Sequence, residues 1–432
     1  MRLLLVSDHY PPFIGGAQRQ TQLLAHELLQ RGHEVRVATV WHGGMPAQEN
    51  DNGVVVYHLK QLRTWLAGKS RDRKQRHQPP FPDPVTVWGL RRIINDFKPD
   101  LVHSYGWFTY SAAAALLGKD TPLLVSARDY GYSCASRTLL FNNEICSGPA
   151  AMKCIECANR LYGTPKGTAA VLGVNLSARL LRHKLTAIHS ISSYVQTIMR
   201  RDFMDDQQMG ATRPIEHSVI PSFQESAPAN SHTPESGLEA YMQQLPDQPF
   251  MLFVGALRVV KGVTPLLVAY ARLEAPPPLV LIGTIEADTP HEFPPGVVVL
   301  QNFPHAAVMA AWERCLFGVL PSLWAEPLGS VVYEGMSVGK AVIGTTPGGH
   351  TDMIVDNQTG LLVRPGDVAG LTDAMRRLLD SAALREAFGR AAKERSLQFS
   401  AAVVVPQFEH LYDRLALKQA ADGDSAPARA AV

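Results

Sequence analysis

The chain has 432 residues, 46% of them hydrophobic and 19% charged, with a formal net charge of +2. That length is too great for one ordinary core and predicts two domains. The near-neutral balance argues against nucleic acid as the main partner, and no apolar run approaches the ~20 residues of a spanning helix. The first apolar run, residues 3–6, stops at Asp8 and is too short for a signal peptide. The expected location is therefore the cytoplasm, with peripheral contact to the inner membrane face left open. In chain order, apolar runs follow at residues 35–40, 54–57, 101–102, 123–125 and 187–191. A helical pattern over residues 17–30 sets Ala17, Leu24 and Leu28 on one face. Residues 224–248, rich in Ser, Pro, Glu, Asn and Gln, read as a linker with a short helix near 238–244. A second series of runs occupies residues 250–254, 279–282, 297–300, 317–320, 341–343 and 361–363. Helical patterns close the chain at residues 371–388 and 401–417, before an Ala-, Asp- and Gly-rich tail over 418–432 that reads as unstructured. Strands alternating with helices predict an α/β fold. Two doubly wound parallel-sheet domains, residues 1–223 and 249–395, would leave a ligand cleft between their C-terminal strand edges.

The most informative stretch is EPLGSVVYE, residues 326–334, in which seven residues separate two glutamates. Pro327 suits the first turn of a helix because it wastes no backbone donor there. Gly329 permits close approach of a ligand to the backbone. Free amides near Leu328 and Gly329 at such a helix start favour an anion, most often a phosphate. Glu326 would sit just before that site, and Glu334 roughly two turns on. An ionised carboxylate accepts two hydrogen bonds at once, which suits a vicinal diol such as a ribose. The plain alternative is an amphipathic helix with two solvated glutamates.

The longer string LPSLWAEPLGSVVYEGMSVGKAVIGTTPGG resembles the retaining glycosyltransferases of family 4. The resemblance runs from Leu3 to about Leu417 and is strongest over residues 250–365. It implies the GT-B architecture, two facing Rossmann-like domains with a final segment, residues 396–417, that returns to the first. It further implies transfer of a sugar from a nucleotide-diphosphate sugar, with retention and without a catalytic metal, to a glycan, lipid-linked or small-molecule acceptor. Polysaccharide or cell-envelope glycan synthesis is the usual setting. In this picture Glu326 binds hydroxyls of the donor sugar and Glu334 binds the ribose. In VGALRVVKG, Lys261 matches the cation that neutralises the departing diphosphate, where fixed positive charge lowers the barrier. The family arginine that follows the first glycine is Ala256 here, and Arg258 is the nearby substitute. Gly348 and Gly349 match a loop that approaches sugar and phosphates, Phe303 matches a loop flanking the base, and Gly15 with Gly16 match the N-terminal loop near the diphosphate. In SARDYGYSC the family histidine is replaced by Arg128, followed by Asp129. Arginine stays protonated and cannot act as a base, but it can hold an acceptor phosphate or the donor diphosphate. His103, at the end of another strand, is the next candidate for acceptor contact. Ala256 and Arg128 also keep open a rival non-catalytic binder of nucleotides or carbohydrates, and the architecture would serve a nucleotide-sugar epimerase or a phosphorylase.

Two segments carry separate expectations. Cys134, Cys146, Cys154 and Cys157 share one window, the last two as C-x-x-C, which admits a structural zinc or ordinary reduced thiols. Residues 60–78 hold Lys60, Arg63, Lys69, Arg71, Arg73, Lys74 and Arg76 against Asp72 alone, interrupted by Trp65 and Leu66. Such a run suits an anionic inner-leaflet surface, or a solvated loop.

Overall fold

Strands covered by helices on both faces need no polar side, so their apolar runs condense into parallel sheets. The computed structural model describes residues 1–11, 16–62, 79–204, 215–224 and 235–424. Its first sheet is built from β1 (Arg2–Ser7), β2 (Glu34–Val40), β3 (Gln48–Asp51), β4 (Val54–Leu59), β5 (Leu101–Tyr105) and β6 (Leu123–Ala127). A small hairpin, β7 (Leu140–Phe141) and β8 (Glu144–Ile145), stands apart, and β9 (Ala187–Ser190) and β10 (Glu216–Val219) complete the sheet. The strand order is β10-β9-β6-β5-β1-β2-β4-β3, parallel throughout except for β3 against β4. Ser7 pairs with Tyr105 and Tyr105 with Ser126, so the C-terminal ends of β1, β5 and β6 lie side by side.

The second sheet contains β11 (Met251–Val254), β12 (Leu279–Ile282), β13 (Val297–Leu300), β14 (Gly318–Val319), β15 (Val342–Thr345) and β16 (Gly360–Val363). Its order is β13-β12-β11-β14-β15-β16, and every pairing is parallel. The molecule is thus an α/β protein with two doubly wound sheets. Helix ends follow local chemistry. Asp83 caps the helix Pro84–Phe97 by accepting the Thr86 amide at 2.9 Å, and Lys98 closes it in the left-handed region.

The last helix, Ala401–Asp424, buries Val404, Val405, Phe408, Leu411, Tyr412 and Leu415 against Leu24, Leu28 and the first sheet. Each such side chain contributes about 1.5–3 kcal/mol when taken out of water. Residues 418–424, expected in an unstructured tail, instead continue this helix, because Lys418, Gln419, Ala420 and Ala421 are all good helix formers. The single pattern at 371–388 resolves into two helices, Val368–Asp380 and Ala382–Ser396. Ser381 caps the second through the Leu384 amide. Among the described residues no helix is long and apolar enough to cross a membrane.

Candidate active site

The chain leaves β14 and turns through residues 320–329 before entering the helix Ser330–Ser337. Gly329 caps that helix at φ +83°, and a Cβ there would lie 2.6 Å from His350 Nε2. Glycine is therefore required by both conformation and space. This reversal corrects one expectation: Pro327 is not in the first helical turn but three residues ahead of it, in the loop. Its carbonyl would meet a Cβ on Gly349 at 2.2 Å, and the Gly349 amide donates to the Glu326 carbonyl at 2.6 Å. The Gly348–Gly349 loop and the 326–329 segment are thus stitched together through backbone.

Glu326 is 8% exposed and its carboxylate is crowded with donors. Lys261 Nζ donates to Oε1 and Oε2 at 2.9 and 3.0 Å. Ser322 Oγ and Trp324 Nε1 donate to Oε2 at 2.9 and 2.6 Å. Burial alone would raise its pKa, but Lys261, His350 and these hydrogen bonds outweigh burial and hold it below the ordinary carboxylate value. Lys261 also lies 5.2 Å over the Trp324 ring. His350 Nδ1 accepts the Thr345 amide at 3.1 Å, so its proton sits on Nε2. Burial lowers this histidine to about 4.

Glu334 lies in the helix Ser330–Ser337, with Oε1 3.3 Å from His305 Nε2. Its Oε2 is buried and has no hydrogen-bond partner among the described residues. Phe303 packs edge-on to Tyr241, ring centres 5.1 Å apart. Arg258 does not join Lys261 at Glu326. It is half exposed and pairs with Asp288 at 3.2 Å. Gly16 opens the helix Gly16–Gln30, while Gly15 lies outside the described residues.

On the first-sheet side, Asp8 accepts the Trp107 and Phe108 amides at 3.1 and 2.5 Å, where the helix Phe108–Ala115 begins. Burial raises its pKa against the pull of Arg137 and those amides. Asp129, expected on the acceptor side, is clamped: Arg137 donates to it at 3.0 and 2.6 Å and the Gly131 amide at 2.8 Å. Asp8, His9, Trp107, Arg128, Asp129 and Arg137 help line a cavity of about 110 Å³. Two residues beyond Arg128, the Tyr130 hydroxyl donates to the Ala325 carbonyl at 2.6 Å, joining this side to the Glu326 segment.

His103 offers an acceptor nothing to touch. It is 0% exposed, with Nδ1 2.8 Å from the Tyr412 hydroxyl and 3.0 Å from the Tyr105 hydroxyl, and Nε2 2.7 Å from Ser126 Oγ. Burial drives its pKa well below the usual value, so it is a neutral anchor for the last helix. The zinc expectation also fails among the described residues, where no group of three or more His, Cys, Asp or Glu could hold a metal ion. The thiols turn to their own neighbours. Cys134 lies 3.1 Å from Ser136 Oγ, Cys146 3.5 Å from the Gly148 carbonyl, Cys154 3.3 Å from the Ala150 amide and Cys157 3.6 Å from the Leu140 carbonyl. Of the basic segment 60–78, residues 63–78 lie outside the described residues; Lys60 sits 5.3 Å over the Trp41 ring.

Comparison with known proteins matches residues 242–395 to the family model "Glycosyl transferases group 1" and residues 15–210 to "Glycosyl transferase 4-like domain". The chain belongs to the GT-B glycosyltransferases of family 4 type. A glycogen synthase of Mycobacterium tuberculosis is 25% identical over 426 residues, which cover 91% of this chain and 90% of the relative. Sucrose-phosphate synthase from Thermosynechococcus elongatus shares the fold at TM-score 0.72 and 18% identity, over 96% of this chain and 98% of the other. Anabaena HepE, solved in complex with UDP-glucose, does so at TM-score 0.65 and 16% identity, over 96% and 100%.

Within this glycosyltransferase, sequence reasoning overlooked Ser322, Trp324, His350, His305 and Tyr130. The first two were readable, since a hydroxyl four residues and an indole two residues before a carboxylate can both reach it across a tight turn. His350 follows the Gly-Gly pair directly. Nothing in either local string joins His305 to Glu334 or Tyr130 to Ala325.

Proposed function

We propose that this glycosyltransferase moves a sugar from a nucleotide-diphosphate sugar to a glycan, lipid-linked or small-molecule acceptor, with retention at the anomeric carbon, in polysaccharide or cell-envelope glycan synthesis. One observation carries the reading: Glu334 Oε2 is a buried acceptor without a donor among the described residues. An unmet buried acceptor costs about 1–3 kcal/mol. A ribose hydroxyl is the donor that suits it, and Glu334 lies in the helix that directly follows the Glu326 loop. HepE carries UDP-glucose in its own structure, which supports a donor of this class here.

The residues then divide the work. When the bond from sugar to nucleotide breaks, negative charge gathers on the departing phosphate and positive character on the sugar ring. Lys261 and the amides near Leu328 and Gly329 meet the first charge. Glu326, ionised, receives hydroxyls of the donor sugar. Its two oxygens already accept from Lys261, Ser322 and Trp324, which blunts it as a nucleophile. That favours attack by the acceptor on the same face, with the leaving phosphate taking the acceptor proton, over a covalent glycosyl-enzyme. Neutralisation by Lys261 and the backbone calls for no metal in this scheme.

A melting-temperature screen with UDP, GDP, ADP and their sugars tests the reading. One nucleotide should stabilise the full chain, because it binds only the folded state. Glu334→Gln should weaken that nucleotide about 10-fold or more. A chain that none of them stabilises would contradict the proposal.

A further inference from the structure

Around the first-half cavity, the carboxylates and their neighbours are matched to one another. Asp8 is taken up by the Trp107 and Phe108 amides and lies 3.8 Å from Arg137. Asp129 is taken up by Arg137 and the Gly131 amide. The Trp107 indole donates to the Gly131 carbonyl at 2.7 Å, and Tyr105 and Ser126 meet His103. Arg128 is different. Its guanidinium lies 5.1 Å over the Tyr105 ring, its Nε is buried without an acceptor, and among the described residues it forms no hydrogen bond or ion pair. The groups acting on it electrostatically are the phenols of Tyr105 and Tyr412, not a carboxylate. Burial accordingly lowers its pKa, yet a guanidinium does not lose its proton in a protein. A cation in this position lacks its anion.

We propose that Arg128 seats a carboxylate or phosphate carried by one of the sugar substrates, held in the cavity beside Asp8 and Trp107. The planar fork of the guanidinium matches either group with two parallel hydrogen bonds. The cavity, about 110 Å³, is far roomier than the ~10–15 Å³ a single water needs. Tyr130 ties this loop to the Glu326 segment, so the anion would lie close to the sugar being transferred. Arg137 and backbone amides offset part of the charge of Asp8 and Asp129. The inference rests on the transferase reading and narrows it: either the donated sugar is acidic, as a uronic acid is, or the acceptor is, as a sugar phosphate is.

The experiment has two arms, run by titration calorimetry on the full chain. One compares glucose 6-phosphate with glucose, and the other UDP-glucuronic acid with UDP-glucose. The acidic ligand should bind tighter in one arm, by about 10- to 100-fold, and that arm identifies the source. Arg128→Met should abolish the preference while melting no lower than the natural chain, because it removes a partly buried charge without a counter-ion among the described residues. Arg128→Lys should keep part of the preference, and it serves as the folded control. Preference in neither arm overturns the proposal, as does preference that survives Arg128→Met. A nucleotide that binds without any acidic preference leaves the transferase reading intact. Failure of every nucleotide and sugar to bind removes that reading as well.

Discussion

Glu334 in the second half and Arg128 in the first stand in opposite conditions beside the same kind of strand edge. Around the second sheet, the buried acid Glu326 is held by a lysine, a serine and a tryptophan, and Glu334 Oε2 is an acceptor left unmet among the described residues. Around the first sheet, Asp8 and Asp129 are satisfied, and Arg128 Nε is a donor left unmet among the described residues. Buried polar groups usually find partners, and other buried atoms, Tyr110 and Trp312 among them, also go without one here. Glu334 Oε2 and Arg128 Nε stand out because they belong to charged side chains of opposite sign on the proposed substrate side, which favours different chemical groups in the two halves.

The hardest blow to this contrast would be Glu326→Ala. It frees Lys261 and empties the second half of its held carboxylate, so sugar transfer should fall roughly 100- to 1000-fold. Steady-state assays with the selected donor check it, and a loss below tenfold would take Glu326 out of the chemistry.

Acid should weaken both halves, and the first more, since burial lowers His9, His103, His189 and His217 there and His350 in the second. Burial holds His189 in the first half at about 3 and His350 in the second at about 4. Unfolded, both take up protons near 6.5. Between pH 6.5 and 4 the unfolded chain therefore binds more protons, and stability declines as pH drops through that window. At pH 5 the loss should be about 2 kcal/mol for each histidine. Urea midpoints at pH 7 and pH 5 measure it, and an unchanged midpoint would mean that these rings are charged in the fold.

The smallest effect concerns the residue that changed sides. Tyr412→Phe removes the hydroxyl from His103 and should cost about 1 kcal/mol in a denaturation curve, with transfer unaltered. A large loss of turnover would return His103 to the reaction.

Both sheets were legible because each central strand is apolar over most of its length. β3 was not, for its sequence QEND has no apolar residue and it pairs only at the sheet's antiparallel edge. The hairpin β7–β8 was hidden in the same way by its two-residue strands. In the site, spacing marked Glu326 and Glu334, and the family resemblance marked Lys261. What spacing could not supply was the company each keeps. His305 reaches Glu334 from a separate helix, and Tyr130 reaches Ala325 from the other sheet's side. His103 misled for a related reason: a strand-end position says nothing about which layer covers it, and here Tyr412 arrives from the far end of the chain. Pro327 misled because the left-handed turn at Gly329 delays the helix.

That far-end helix has a consequence for biosynthesis. The hydrophobic layer over Leu24 and Leu28 is sealed by Phe408, Leu411, Tyr412 and Leu415. The amino-terminal half emerges from the ribosome first, yet its core cannot close until residues 401–415 have been made. Truncation ahead of Ala401 would leave that half with an open, sticky flank, however complete its sheet.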